Sequence, residues 1–241
     1  MEYLITIIMI FFTLIIFFII FLIVWRYFFF YRNPNREIQY DEKSILSPAD
    51  GFIVYCKRIN PKENIFSIKK NKHIKLDDLM KINDSNLKNK PGWLIGVFMT
   101  FFDVHYNRSP IGGYIKKITH NFPKRYKKNF SMRKLYFNFF FSKNNIMKNC
   151  EHLISNERAS YIIKNKKISV YVTQIADRWI NKIVTYKNNE EIKQGDIFGL
   201  VKIGSQVDIF VPDVNNKIEI LVRERQRVKA GLTKLLRIKG I

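Results

Sequence analysis

The chain opens on an unbroken apolar stretch, Tyr3 to Trp25, which holds no charge and is bounded by Glu2 and Arg26. Its 23 residues, at about 1.5 Å each in a helix, suffice to cross a hydrocarbon core of roughly 30 Å. The run is too long for a cleaved leader, no basic region precedes it and no small-residue cleavage site follows, so it predicts a membrane helix. Phe28 to Tyr31 then reads as an aromatic belt at the interface, with Arg26, Arg32 and Arg36 on the side of the main body. This bias puts the body on the cytoplasmic side of the cell membrane, and a re-entrant hairpin would leave it there too. A membrane anchor over 1–31 and a body over 32–241 are the expected divisions.

Beyond the linker around Asn33-Pro34-Asn35 the pattern changes to short apolar runs separated by turn residues. Gly51–Tyr55, Trp93–Met99, Ile168–Ile175, Ile197–Ile203, Val207–Val211 and Ile218–Val222 are rich in β-branched and aromatic residues and predict strands. Residues 60–90 are polar, without strong periodicity, and predict a surface excursion. Ala176–Val184 is too short for periodicity to choose between a helical turn and a continued strand. The expected fold is a mostly β (β-rich α+β) compact single domain carried on one N-terminal transmembrane helix.

Composition adds a partner class. In 241 residues, 42 Lys+Arg stand against 20 Asp+Glu, a formal net charge of +22. The excess is densest from Lys116 to Lys148, where ten Lys/Arg occur with no acid, interleaved with Phe and Tyr. A basic and aromatic mixture suits an anionic phospholipid surface, which a tethered protein has within reach. No zinc-finger or RRM signature supports nucleic acid instead. Arg108, Lys124, Arg125, Lys127 and Lys128 are the candidate contacts to substrate or membrane. Cys56 and Cys150 lie far apart without metal-ligand spacing, so neither a disulfide framework nor a metal site is expected. Oligomeric state is left open, a homo-oligomer being allowed.

Common cofactor motifs are missing: no Walker loop, Gly-x-Gly-x-x-Gly, His-Glu-x-x-His or Gly-x-Ser-x-Gly occurs. Three clusters remain: Ser47-Pro48-Ala49-Asp50-Gly51, the run Phe102 to Pro110 (FDVHYNRSP), and Gly204-Ser205 ahead of Val207 to Pro212. Each alone is ordinary. Pro-x-Asp-Gly is turn chemistry, a histidine at the end of an apolar strand is commonly structural, and glycine between strands marks a bulge or a close approach.

Together and in this order, with Phe-Tyr-Arg-Asn-Pro ending at Pro34, Ser155-Asn156-Glu157-Arg158, Gln174-Ile175-Ala176 and Arg227 to Gly231, the clusters resemble the phosphatidylserine decarboxylase family, in its short membrane-anchored branch. The resemblance implies a proenzyme that cleaves itself between Gly204 and Ser205, into a large chain 1–204 and a small chain 205–241. Ser205 becomes a covalent pyruvoyl group. Oγ of Ser205 would attack the Gly204 carbonyl, where the missing Cβ leaves room for a tetrahedral intermediate; an ester forms, elimination leaves dehydroalanine, and hydrolysis yields pyruvoyl and ammonia. Phosphatidylserine would then lose CO2 through a Schiff base to that carbonyl, giving phosphatidylethanolamine. The resemblance casts His105 as the acid that returns a proton to Cα and Asp50 as the carboxylate aiding self-cleavage. An archaetidylserine decarboxylase would carry the same motifs. From another class, an inactive tethered module binding anionic lipid or nucleic acid would leave the chain uncut.

Three departures from the family pattern bear on mechanism. Some branches place a second histidine, the base for self-cleavage, where this chain has Arg108, and an arginine cannot act as that base. Either His105 serves both steps or Asp50 acts without an intermediate histidine. A Gly-Lys-Phe-x-Asn-Ala pattern usual after Phe122-Pro123 is replaced by basic and aromatic residues, and Asp177 stands where glycine often follows Ile-Ala.

Overall fold

The computed structural model describes residues 2–69, 72–82, 89–123, 132–141, 150–177, 182–202 and 205–240. It divides into two compact units, one ending at Pro34 and one spanning Asn35–Ile241. In the first, helix α1 (Glu2–Val24) runs into a π-helical stretch, Trp25–Phe30. It is long and apolar enough to cross a membrane. Its two threonine hydroxyls are satisfied within the helix: Thr6 and Thr13 donate to the carbonyls of Glu2 and Met9, four residues back.

The second unit is built from β-strands. In chain order these are β1 (Ser44–Leu46), β2 (Gly51–Ile59), β3 (Phe66–Lys69), β4 (Lys72–Ile74), β5 (Gly92–Met99), β6 (Tyr106–Arg108), β7 (Gly113–Asn121) and β8 (Arg158–Lys164). There follow β9 (Ser169–Ala176), β10 (Ile183–Thr185), β11 (Glu190–Ile192), β12 (Ile197–Val201), β13 (Ser205–Pro212), β14 (Ile218–Ile220), β15 (Arg227–Val228) and β16 (Lys234–Ile238). Three short helices accompany them among the described residues: α2 (Leu76–Met80), α3 (Arg133–Phe141) and α4 (His152–Ser155).

An antiparallel eight-stranded sheet in the order β11-β7-β8-β9-β13-β5-β2-β15 is the frame of the domain. β13 lies between β9 and β5 and is buried along nearly its whole length. Because side chains alternate across a strand, Val207, Ile209 and Val211 enter one core, with Ile95, Val97 and Val172. Phe210 enters a second core on the opposite face, with Tyr55, Leu94, Phe98 and Tyr171. A sheet covered on both faces needs apolar residues at successive positions, which is why its central strands read as continuous hydrophobic runs. Two three-stranded sheets, β1-β16-β14 and β10-β12-β6, flank this frame.

The mostly β expectation holds, with one local correction. The stretch 60–90 is no mere excursion: Ile65, Phe66, Ile74, Leu76, Leu79, Met80 and Ile82 are buried in the second core. Their spacing is irregular because they come from a short hairpin, β3-β4, and a one-turn helix rather than from one periodic element. The undecided segment Ala176–Val184 splits: β9 ends at Ala176 and β10 begins at Ile183.

Candidate active site

Ser205 is the first residue of β13, fully buried, and opposite Met99 of β5 on one side and Ala176 of β9 on the other. Its hydroxyl donates to the Met99 thioether at 3.7 Å. The same sulfur receives the Asn107 side-chain amide at 3.8 Å, and Gln174 donates to Asn107 Oδ1 at 2.6 Å. Thioether sulfur is a weak acceptor, so this contact orients the Ser205 hydroxyl without abstracting its proton. The Ala176 side of the strand pair is fixed by the Ser-Asn-Glu-Arg segment. Asn156 donates its side-chain amide to the Ala176 carbonyl at 3.0 Å, and the Ala176 N–H donates to the Glu157 carbonyl at 3.0 Å.

His105 is buried on the short segment that links β5 to β6. Asp103 shapes this segment by accepting the Thr100 N–H at 2.8 Å and the Thr100 hydroxyl at 2.7 Å, while Arg227 donates to its other oxygen at 3.2 Å. His105 Nδ1 lies 2.8 Å from the Asp103 carbonyl. A carbonyl only accepts, so the proton of the neutral ring sits on Nδ1 and the lone pair on Nε2. That tautomer leaves Nε2 as the basic position.

Asp50 ends the Ser47–Asp50 loop just ahead of Gly51. In the β2-β5 register Phe52 is opposite Phe98, which brings Gly51 beside Met99, and a Cβ on Gly51 would stand 2.1 Å from the Phe98 carbonyl oxygen. Gly51 has φ +143° as well, so only glycine fits this close approach. The Asp50 carboxylate takes a two-pronged grip from Arg36, at 2.7 and 2.8 Å, and the Ala230 N–H at 2.7 Å. Arg36 also donates to the Ala230 carbonyl at 2.5 Å.

Of the sequence candidates, Ser205, His105 and Asp50 converge on the same end of the sheet, yet among the described residues no hydrogen bond joins Ser205 to either of the others. Arg108, read as a substrate or membrane contact, is instead buried and donates to the Gly195 carbonyl at 2.9 Å. Its aliphatic stem packs beside Gly231, where a Cβ would come within 3.1 Å. Burial lowers its pKa, and Arg36 beside it adds to the effect, against the opposing charges of Asp50 and Asp196. Gly204, Lys124, Arg125, Lys127 and Lys128 lie outside the described residues. Sequence reasoning passed over Met99, Asn107, Gln174 and Asp103 as site residues. Asn107 and Asp103 lie inside the FDVHYNRSP run and Gln174 directly before Ile175-Ala176, so the motifs held the signal.

A cavity of about 380 Å³ borders these strand ends, lined by Phe98, Met99, Thr100, Phe101, Met132, Tyr136, Phe137 and Asp177. Met99 faces Ser205 across the sheet, and Asp177 follows its other neighbour, Ala176. The lining is apolar apart from Thr100, the Tyr136 hydroxyl and Asp177, and Asp177 already accepts the Met132 N–H at 2.9 Å. Among its lining residues, Phe101 of the Thr100–Asp103 turn and Phe137 of α3 are 41% and 60% exposed.

A second polar cluster occupies the opposite face of the sheet. Asp208 is fully buried. It accepts the Tyr55 hydroxyl at 2.5 Å and the Gln206 amide at 2.7 Å, and His152 Nε2 meets Gln206 Oε1 at 3.3 Å. Tyr55 reaches Asp208 by lying across Gly96, where a Cβ would stand 2.5 Å from the ring. Burial pushes the Asp208 carboxyl up to about 7 and the His152 ring down to about 4.

Comparison with known proteins gives one consistent result. The sequence model for phosphatidylserine decarboxylase matches residues 25–235. A phosphatidylserine decarboxylase proenzyme of Carboxydothermus hydrogenoformans is 31% identical over 88% of this chain and 79% of its own length. A second protein of that name, from Amoebophilus asiaticus, is 31% identical over 82% of the chain and 70% of its length. A putative archaetidylserine decarboxylase proenzyme of Methanocaldococcus jannaschii is 32% identical over 85% of each.

Proposed function

The chain belongs to the phosphatidylserine decarboxylase family, and from that premise we propose that it cuts itself ahead of Ser205 and carries out its chemistry with the pyruvoyl group formed there. The activity is decarboxylation of the phosphatidylserine headgroup to phosphatidylethanolamine and CO2. The observation that carries the assignment to Ser205 is its position: a buried serine opening a central strand, beside an apolar cavity large enough to take part of a lipid.

The pyruvoyl group suits this position. Ser205 is flanked by Ala176 and the Met99 thioether, and among the described residues no charged side chain bonds to it. A planar group made from the serine's own atoms needs no extra room. When formed, its carbonyl supplies the electron sink that loss of CO2 from an amino acid requires. The remaining work falls to the chain's own residues. During self-cleavage the Ser205 hydroxyl must give up its proton as Oγ attacks the Gly204 carbonyl. His105, with its lone pair on Nε2, is the side chain we assign to proton transfer, both there and in the return of a proton to the substrate Cα. Asp50 supports the cut from within its bonds to Arg36 and Ala230. Phe98, Met99, Phe101 and Phe137 exclude water from the cavity and present an apolar wall to the lipid.

Helix α1 supplies a tether long enough for a bilayer, and Arg26, Arg32 and the excess of +22 favour the cytoplasmic, anionic face. Lys124, Arg125, Lys127 and Lys128 belong to this docking proposal through their charge alone.

The test is the intact mass of the full chain purified in detergent and denatured. Two fragments divided between Gly204 and Ser205, the smaller with a carbonyl at a blocked N-terminus, are expected, and Ser205→Ala should remain whole. An uncut wild-type chain that stays whole on incubation with anionic lipid would overturn the reading.

A further inference from the structure

Arg36 has so far entered only as a partner of Asp50, yet its own setting is closely built. Its side chain is 6% exposed, and both terminal nitrogens are committed: Nη1 to Asp50 Oδ1 and to the Ala230 carbonyl, Nη2 to Asp50 Oδ2. The ring of contacts closes through the Ala230 N–H, which donates back to Asp50 Oδ1. Three remote stretches meet here: the residues after the apolar helix, the loop before β2, and the turn before β16.

A second clip lies two residues on. Ile38 packs into a notch made by two glycines. A Cβ on Gly195 would stand 2.6 Å from Ile38 Cγ1, and one on Gly231 would stand 2.9 Å from Ile38 Cδ1. Both glycines have positive φ, +86° and +73°. The turn they grip is also stitched to the Asp50 loop, since Gly231 N–H donates to the Ser47 carbonyl at 2.8 Å and Ser47 N–H donates to the Thr233 carbonyl at 2.8 Å. Ala230 and Gly231 would belong to the small chain after a cut at Ser205, whereas Arg36, Ile38 and Asp50 would belong to the large one.

We propose that Arg36 is a positioning residue for self-cleavage: its fork fixes the Asp50 carboxylate at one orientation, one strand beyond Met99, and seats the segment that follows the apolar helix against the future small chain. The inference rests on the reading of Ser205 and Asp50 given above. Its chemical content is the fork. A guanidinium presents two parallel donors to a carboxylate, while an ammonium presents a point charge that leaves the carboxylate free to rotate.

The test follows appearance of the two fragments in full-length precursor over time. Arg36→Lys keeps the charge and loses the fork. It should cut about tenfold more slowly, the rate effect of a single interaction worth about 1.4 kcal/mol, while unfolding of the same variant in a Ser205→Ala background stays within a few degrees of its parent. Arg36→Ala should cut more slowly still, and added methylguanidinium should restore the rate saturably where methylammonium does not. Cutting of Arg36→Lys at the wild-type rate would overturn the proposal, as would equal rescue by the two cations. Should Arg36→Ala fail to fold, Arg36→Lys decides alone. A wild-type chain that never cuts would instead sink the functional reading on which this rests.

Discussion

Two carboxylates on the two sides of strand β5 are buried by opposite means. Asp50 shares a guanidinium fork and a backbone N–H, so its charge is met by an opposite charge held in place. Among the described residues Asp208 accepts hydrogen bonds only from a tyrosine hydroxyl and a glutamine amide, one of its oxygens has no hydrogen-bond partner, and its pKa rises to about 7. The difference follows location. Asp50 sits in a loop that a strand-free segment can reach with a long side chain. Asp208 points into the face of a sheet covered on both sides, where a nearby cation, Arg158, is spent on the carbonyls of Asp78, Leu79 and Ile154. A carboxylate in a loop can be paired, whereas one inside a sheet is more cheaply left protonated.

The largest effect should come from removing the partner of the paired group. Arg36→Met strands the Asp50 charge and is expected to cost roughly 3–5 kcal/mol, read by denaturant unfolding of the Ser205→Ala precursor at pH 6, whereas Asp208→Asn, which removes a group that keeps its proton up to about pH 7, should cost far less. Equal losses would break the comparison. A middle-sized effect is expected where the sheet makes room for the Asp208 cluster. Gly96→Ala drives a methyl into the Tyr55 ring and should cost about 1–3 kcal/mol through overpacking, measured the same way.

The smallest net effect in wild type, because two groups oppose each other, is a slope. Between about pH 4 and 7 folded Asp208 keeps a proton that the unfolded chain, at its ordinary 3.8, has released, so its contribution to stability falls as pH rises. His152 runs the other way. From 4 to 6.5 the unfolded ring holds a proton that the folded ring refuses, so stability rises with pH. In wild type the two slopes oppose each other across that window. Asp208→Asn should expose the rising slope of His152, and His152→Gln the falling slope of Asp208, when unfolding midpoints are compared from pH 4.5 to 6.5. A flat response in both variants would remove the basis for treating Asp208 as a neutral acid.

Much of this was legible in the chain. The central strands β5, β9 and β13 announce themselves as apolar runs because both faces of the sheet are covered. The buried polar strand residues were harder to see. Gln206 and Asp208 interrupt the pattern of β13, and only the packing explains them, since Tyr55 comes from β2, 153 residues before Asp208, and His152 from a one-turn helix. The motif Ser47–Gly51 was visible, and so was Arg36, but as part of an interfacial charge bias. That Arg36 folds back onto Asp50 could not be read, because a long-range ion pair leaves no periodicity. The burial of Arg108 was illegible for the same reason: charge in sequence suggests a surface, and the residues it packs against, Gly195 and Gly231, lie far along the chain.

β13 also bears on what a cut ahead of Ser205 would mean for the molecule's history. The 37 residues from Ser205 to Ile241 include β13 and β15 of the large sheet and β14 and β16 of a second one. Scission would therefore release nothing: the fragment is woven through two sheets and stays as an interior strand, held by neighbours that were folded around it. Such a protein can be assembled in only one order, folding first and cutting second. Once unfolded, its two pieces would face a bimolecular search for a topology that the intact chain reached alone, so the working enzyme would be a state reached by a one-way path and kept by its barrier to unfolding.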